Sequence, residues 1–237
     1  MTKKSSYTTD GKVVTLGTEE DINIKLGKII GKKFTDYREL WDKANNMEVV
    51  TDFPLFLHLD MNQTCNYKCP HCIIGTPSEV AEYYEGEYVD FEAFKKIIDE
   101  GSEHSCPSME PQGNNEPFLI KDLHKYILYA HKKGFIDIML NNNGSALTKK
   151  RASQILDSGL TRLRFSLDAF TPETYSKVRV GSIPLKRVIR KIRDRLPFFI
   201  TIVLFSFINK LLFLKKNFSN YNHHRRKIIN LYSKNII

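Results

Sequence analysis

Cysteine is scarce in this chain, four in 237 residues, and none follows Cys106. That excludes a disulfide-stapled scaffold, and 12 Gly with 9 Pro exclude collagen-like and mucin-like classes. The chain also lacks an opening in which a charged stretch precedes a short apolar one, so the expected compartment is the cytoplasm. There, closely spaced cysteines signal metal binding or catalysis rather than bridges. The longest stretch without acidic residues is the last one. From Leu196 to Ile237 there is no Asp, Glu, Gly or Ala, but there are seven Lys or Arg: Lys210, Lys215, Lys216, Arg225, Arg226, Lys227 and Lys234. Subtracting these seven from the formal net charge of +9 leaves +2 for the rest, so no nucleic-acid partner is indicated.

What is present is enough for one domain with a sizeable core, 41% of the residues being hydrophobic. The first ten residues are polar and expected to be disordered. Residues 19–46 carry Ile22, Leu26, Ile29, Ile30, Phe34, Tyr37, Leu40 and Trp41 at helical spacing, with Gly27 and Gly31 as points where the helix divides. Residues 1–50 are therefore expected to form a helical extension packed on a main domain at 51–195. Strands are expected at 54–60, 135–140, 161–168 and 198–207. Helices are expected at 91–101, 119–134, 147–159, from Pro172, and at 185–196; Gly101, Gly134 and Gly159 serve as stops and Thr171 as a cap. Strands alternating with helices mean parallel βαβ units, hence an α/β fold. Pro107 and Pro111 interrupt the place where the second strand should lie.

Ligands of parallel α/β folds sit beyond the carboxyl ends of the strands. The unusual sequences fall there: TCNYKCPHC, GNNEP, NNNG and SLDA, one after each of four strands. Cys65, Cys69 and Cys72 form C-x3-C-x2-C in a single loop, which suits an iron–sulfur centre or zinc. A structural zinc site wants four ligands, and nothing at close spacing supplies the fourth.

Those four stretches, in that order over residues 55–195, resemble the radical S-adenosylmethionine superfamily, and SLDA-x-T-P-E-T-Y-x-K-x-R is similar to its SPASM/twitch-type branch. The resemblance implies a partial (β/α)6 TIM-like barrel. It implies that Cys65, Cys69 and Cys72 ligate a [4Fe–4S] cluster whose open iron chelates S-adenosylmethionine. His71 would lie against the adenine. Gly113, Asn114, Asn115 and Glu116 match G-N-G-E-P, with Glu116 facing the methionyl ammonium and Asn115 standing where the family has glycine, a position expected to need positive φ. Asn143 and Gly144 match the family's N-G. Ser166 and Asp168 match its S-x-D, Asp168 being equally readable as a helix cap, and Arg179 matches a basic partner for the carboxylate. The implied chemistry is reductive cleavage of S-adenosylmethionine to a 5′-deoxyadenosyl radical that abstracts hydrogen from a peptide, protein or small-molecule substrate. A reductant such as flavodoxin or ferredoxin is implied with it.

The plainer readings stand beside these. Cys106 is expected to be a small buried thiol, and His58, His104, His124 and His131 to be scattered strand or helix residues. Glu79, Glu82, Glu85 and Glu87 read as a solvated face. The segment 196–237 departs from the family: a sixth unit and auxiliary-cluster cysteines are expected there and do not appear. It reads as a fifth strand followed by an aberrant tail left by a broken or frameshifted gene, with a membrane anchor through 196–216 as the competing reading, opposed by Asn209 and Lys210. The alternative function is a non-catalytic remnant or an iron–sulfur or zinc module that turns nothing over.

Overall fold

The computed structural model describes residues 11–15, 19–76, 88–195 and 203–207. In chain order the elements are β1 (Gly11–Thr15), α1 (Glu19–Ile30), α2 (Lys32–Asn45), β2 (Phe56–His58), α3 (Phe91–Glu103), β3 (Ser108–Glu110), a 3-10 turn (Pro117–Leu119), α4 (Leu123–Lys132), β4 (Asp137–Asn142), α5 (Lys149–Leu156), β5 (Arg162–Asp168), α6 (Pro172–Val178), α7 (Leu185–Arg195) and β6 (Val203–Phe207). They build one six-stranded sheet in the order β1-β6-β5-β4-β3-β2. β2 through β6 run parallel, and β1 joins the far edge antiparallel to β6. This is the α/β arrangement expected from the strand–helix rhythm. Neither β1 nor its pairing was expected, because five residues next to a polar stretch carry no period long enough to reveal a strand.

Alternation along the strands gives the sheet two unlike faces. Met109, Ile138, Leu140, Leu163, Phe165 and Leu167 turn toward the helices and join one core with Phe94, Ile98, Ile127, Ala152, Val188 and Ile192. The residues between them, such as Ser108, Glu110, Asn141, Arg162, Arg164 and Asp168, occupy the other, inner face.

The amino-terminal helices cover the lower end of that inner face. They divide at Gly31, whose φ of 88° breaks the helix between α1 and α2. Phe34 and Tyr37 of α2 are buried, and the Tyr37 hydroxyl donates to Ser108 Oγ at 3.1 Å. Arg162 donates to Asp137 at 2.7 and 3.0 Å and to Asn23 Oδ1 of α1 at 2.7 Å, and its guanidinium lies 5.7 Å from the Phe34 ring.

Several expected boundaries move. α3 continues through Gly101 to Glu103, because that glycine is a packing point and not a stop: a Cβ there would stand 2.9 Å from the Phe135 ring. α4 begins only at Leu123, since 117–119 form a separate 3-10 turn and Asp122 sits left-handed at φ 56°. β4 is shifted two residues onward from the expected 135–140, so Asn141 and Asn142 belong to the strand. β2 is shorter than expected, and β3 fits between the two prolines, with the Pro107 carbonyl accepting from the Ile136 and Asp137 amides at 2.8 and 3.1 Å. Thr148 and Thr171 cap α5 and α6 as side-chain acceptors.

The expected fifth strand appears as β6 at 203–207, parallel to β5. The first ten residues, Glu79, Glu82, Glu85 and Glu87, and the tail from 208 lie outside the described residues. Among the described residues no helix is long and apolar enough to cross a membrane.

Candidate active site

The loop leaving β2 carries the three cysteines and is wound by its own backbone. The Cys72 amide donates to the Cys69 carbonyl at 3.0 Å, and the Gly75 and Thr76 amides both donate to the Cys72 carbonyl at 3.0 Å. The winding brings Gly75 onto the Cys69 peptide so closely that a Cβ would collide with the Cys69 carbonyl oxygen. The Lys68 amide donates to the Val180 carbonyl at 2.8 Å, tying the loop to the segment after α6.

All three thiols are free; Cys69 is buried, Cys65 and Cys72 half-buried. Donors surround two of the sulfurs. The Tyr67 amide stands 3.4 Å and Asn143 Nδ2 3.9 Å from Cys65 Sγ, and Arg179 Nη1 stands 3.6 Å from Cys69 Sγ. Burial pushes the Cys65 thiol up, helped by Glu116 and the other two sulfurs against the Tyr67 amide. Burial likewise raises Cys69, against the opposing pull of Arg179. Such thiols stay protonated until a metal centre supplies the positive charge that ionises them. The donor set fits an iron–sulfur cluster held by three thiolates. His71, next to Cys72, turns its Nε2 toward Asp168 Oδ2 at 3.4 Å. Among the described residues no three His, Cys, Asp or Glu side chains gather as one metal ion requires.

The loop after β3 leans on the cysteine loop. The Glu116 amide donates to the Thr64 carbonyl at 2.9 Å, and the Asn114 amide to Asp60 Oδ1 at 3.2 Å. Gly113 passes so near Asp60 that a Cβ would stand 2.6 Å from its carboxyl carbon. Asn115 is not at positive φ, contrary to expectation. Its side chain does the bracing: Oδ1 accepts from the Gly113 amide at 3.0 Å, and Nδ2 donates to Asn62 Oδ1.

Glu116 is buried, and its two oxygens bridge two loops. Oε1 accepts from the Phe118 amide at 3.1 Å and Oε2 from the Asn143 amide at 2.7 Å. Burial raises its pKa to about 7, although both amides and then Arg179 and Arg151 work in the other direction. Asn143 in turn donates through Nδ2 to Asn66 Oδ1 at 3.0 Å and accepts at Oδ1 from the Ser145 amide at 2.9 Å. Gly144, at φ 73° and with Val188 Cγ1 2.8 Å from where a Cβ would be, has to be glycine.

At the end of β5, Ser166 is half-buried on the inner face. Asp168 is left-handed at φ 53° and pairs with Arg179 Nη2 at 2.5 Å. The cap reading of Asp168 is overturned, because Thr171 caps α6. Burial raises the Asp168 carboxyl, with Arg179 and then His71 pulling it down. Arg179 thus spans Asp168 and the Cys69 sulfur, and its Nε is buried without a hydrogen-bond partner among the described residues.

The structure therefore brings Cys65, Cys69, Cys72, Glu116, Asn143, Asp168, Arg179 and His71 into one network at one rim. Asp60, Asn62, Asn66 and Ser145 also belong to it and were missed. Their only signal was position, short polar residues flanking the cysteines and the Asn-Gly turn. The lone side chains behave as expected: Cys106 is buried, and His104 stacks on Phe53 at 4.5 Å. His58 pairs with Glu110 at 2.6 Å on the inner face below the rim.

Residues 60–210 match the family model described as the radical SAM superfamily, and the chain belongs to that superfamily. Its members use a [4Fe–4S] cluster and S-adenosylmethionine. Among curated proteins, this chain is similar to the GTP 3′,8-cyclase of Nautilia profundicola, 30% identical over 148 residues that make up 60% of this chain and 43% of that protein. It is also similar to the GTP 3′,8-cyclase of Campylobacter lari, 32% identical over 146 residues, 60% of this chain and 42% of that one. The chain thus spans less than half the length of these relatives. The crystal structure of BtrN in complex with AdoMet and 2-DOIA shares the fold, with a TM-score of 0.52 at 16% identity over 69% of this chain and 61% of that one.

Proposed function

We propose that this chain carries the cofactor site of a radical S-adenosylmethionine enzyme that abstracts hydrogen from a small-molecule substrate. The observation that carries it is the junction at Glu116 and Asn143, where the loops after β3 and β4 are bonded to each other and to the cysteine loop. When bound, the cluster and S-adenosylmethionine supply a one-electron cleavage that yields a 5′-deoxyadenosyl radical. Cys65, Cys69 and Cys72 would hold the cluster. Glu116, sealed from water, would take the methionyl ammonium, which favours its ionised form. His71, Ser166 and the Gly113–Asn115 loop would position the nucleoside. Arg179 would meet the carboxylate while damping charge on the Cys69 sulfur, and Asp168 holds it in place. The inner face below is closed at its lower end by α1 and α2. An electron donor of the flavodoxin or ferredoxin kind would reduce the cluster.

The relatives' names make GTP the first substrate to try. The test uses anaerobically purified chain reconstituted with iron and sulfide, then given dithionite and S-adenosylmethionine. Formation of 5′-deoxyadenosine that is absent from a Cys69→Ala variant is the expected result. A bound cluster that yields no such product would overturn the reading in favour of a module that holds metal without turnover.

A further inference from the structure

A cavity of about 430 Å³ lies outside the cysteine network, between the 3-10 turn with α4 on one side and the start of α5 on the other. Its floor is apolar, made by Phe118, Leu123 and Ile155, which also belong to the core. Its wall is polar, where Gln154 Nε2 and His124 Nε2 meet at 3.4 Å across the two helices. Its mouth is cationic: Lys121 comes from the loop before α4, and Lys150 and Arg151 from the first turn of α5.

Of these cations, Arg151 also donates through Nη1 to the Ala146 carbonyl at 3.1 Å. The one carboxylate in the lining, Asp122, is engaged by Lys125 at 2.9 Å. The first turn of α5 contains no acidic residue, although the positive end of a helix favours acids. Neighbouring α7 adds more cations, and the crowding is felt: burial lowers the Lys191 pKa, and Arg195, Arg187 and Arg151 lower it further. Local choices that oppose each other mark functional positions more often than structural ones. A concave site with an apolar floor and cations at its mouth suits a ligand with an apolar body and an anionic group. Lysine as a point charge and arginine as a fork both bind phosphate oxygens, and a phosphate ester combines such a group with an organic body.

We infer that the cavity between α4 and α5 binds a phosphoryl-bearing small molecule, with Lys121, Lys150 and Arg151 on the phosphate and Phe118, Leu123 and Ile155 under its organic part. The site is separate from the cysteine network but meets it at Glu116, on which Phe118 acts through its amide and Arg151 through its charge. Phe118 lines the cavity, and its amide holds Glu116.

The experiment is an amide-resolved NMR titration of the full chain at fixed ionic strength, with inorganic phosphate and with phenyl phosphate as probes. Neither resembles S-adenosylmethionine, so binding at the rim is not confused with binding here. Phenyl phosphate is expected to saturate one site, shifting the amides of 121–124 and 148–154, at least threefold more tightly than phosphate. The double variant Lys121→Glu, Lys150→Glu is expected to lose at least tenfold. The charge-matched control Lys149→Glu, Lys186→Glu, outside the lining, is expected to lose less than threefold. All four side chains are exposed, so both variants should fold, which their thermal unfolding checks. Equal affinities for the two probes, or equal losses in the two variants, would overturn the inference in favour of diffuse attraction to a basic surface.

Discussion

The two ends of the inner sheet face are built from the same alternation and do opposite things with it. At the lower end the ion pair is matched: Arg162 is 5% exposed and divides its donors between Asp137 and Asn23, and Tyr37 closes on Ser108, although Arg38 Nε beside it is buried without a partner among the described residues. At the rim, carboxylates and thiols are buried at a cost. Glu116 is raised to about 7, Asp168, Cys65 and Cys69 are all raised by burial, and Arg179 keeps a buried Nε without a partner among the described residues. Paired polar groups hold α1 and α2 to the sheet, whereas on the proposed reading the rim groups would meet charges from outside the chain.

The sharpest way to break this contrast is at the sulfurs. Cys69→Ala should abolish retained iron and reduce 5′-deoxyadenosine formation at least a hundredfold, measured by iron content and product chromatography, with little change in unfolding. Arg162→Ala should do the reverse. Leaving Asp137 buried and unpaired should cost about 3–5 kcal/mol in denaturant unfolding, while the folded fraction still takes up iron. Gly144→Ala sits between the two, since it strains a turn at the rim: a loss of about 1–3 kcal/mol is expected, together with weaker S-adenosylmethionine binding in calorimetry.

The pH dependence sharpens the comparison further. Because the folded state holds the Glu116 proton more tightly than the unfolded chain does, Glu116 adds stability that is complete below about pH 4.5 and lost as pH rises through about 7. The slope of stability against pH in that window should therefore carry a falling component, up to about 1.4 kcal/mol per pH unit. Glu116→Gln should flatten it, as urea midpoints across that window would show. The smallest effect belongs to a cap: Thr171→Ala removes the side-chain acceptor of the Thr174 amide and should cost about 1 kcal/mol.

How far these ends were legible in the sequence differs in the same way. The rim was readable because its chemistry needs rare residues in order: three cysteines, then Glu116 and Asn143, each past a strand, and Asp168 at the end of one. The helix start at Thr171 was equally plain, since capping is a local matter. The lower end was not readable. Nothing local says that Asn23 and Arg162, 139 positions apart, share a hydrogen bond. The same holds for Gly101, which looked like a helix stop and is a packing point beneath Phe135. Asn115 misled for a related reason: its side chain braces the loop, which backbone preference does not reveal. Pairing and packing across the sheet are properties of the assembled fold.

The most direct test of the central claim, that the rim network positions S-adenosylmethionine at a cluster held by the three cysteines, is the electron paramagnetic resonance spectrum of the reduced, reconstituted chain with and without S-adenosylmethionine. The account predicts a reduced [4Fe–4S] signal whose g-values shift when S-adenosylmethionine is added, and a shift that is weakened in Glu116→Ala. A cluster signal that S-adenosylmethionine leaves unchanged would contradict it.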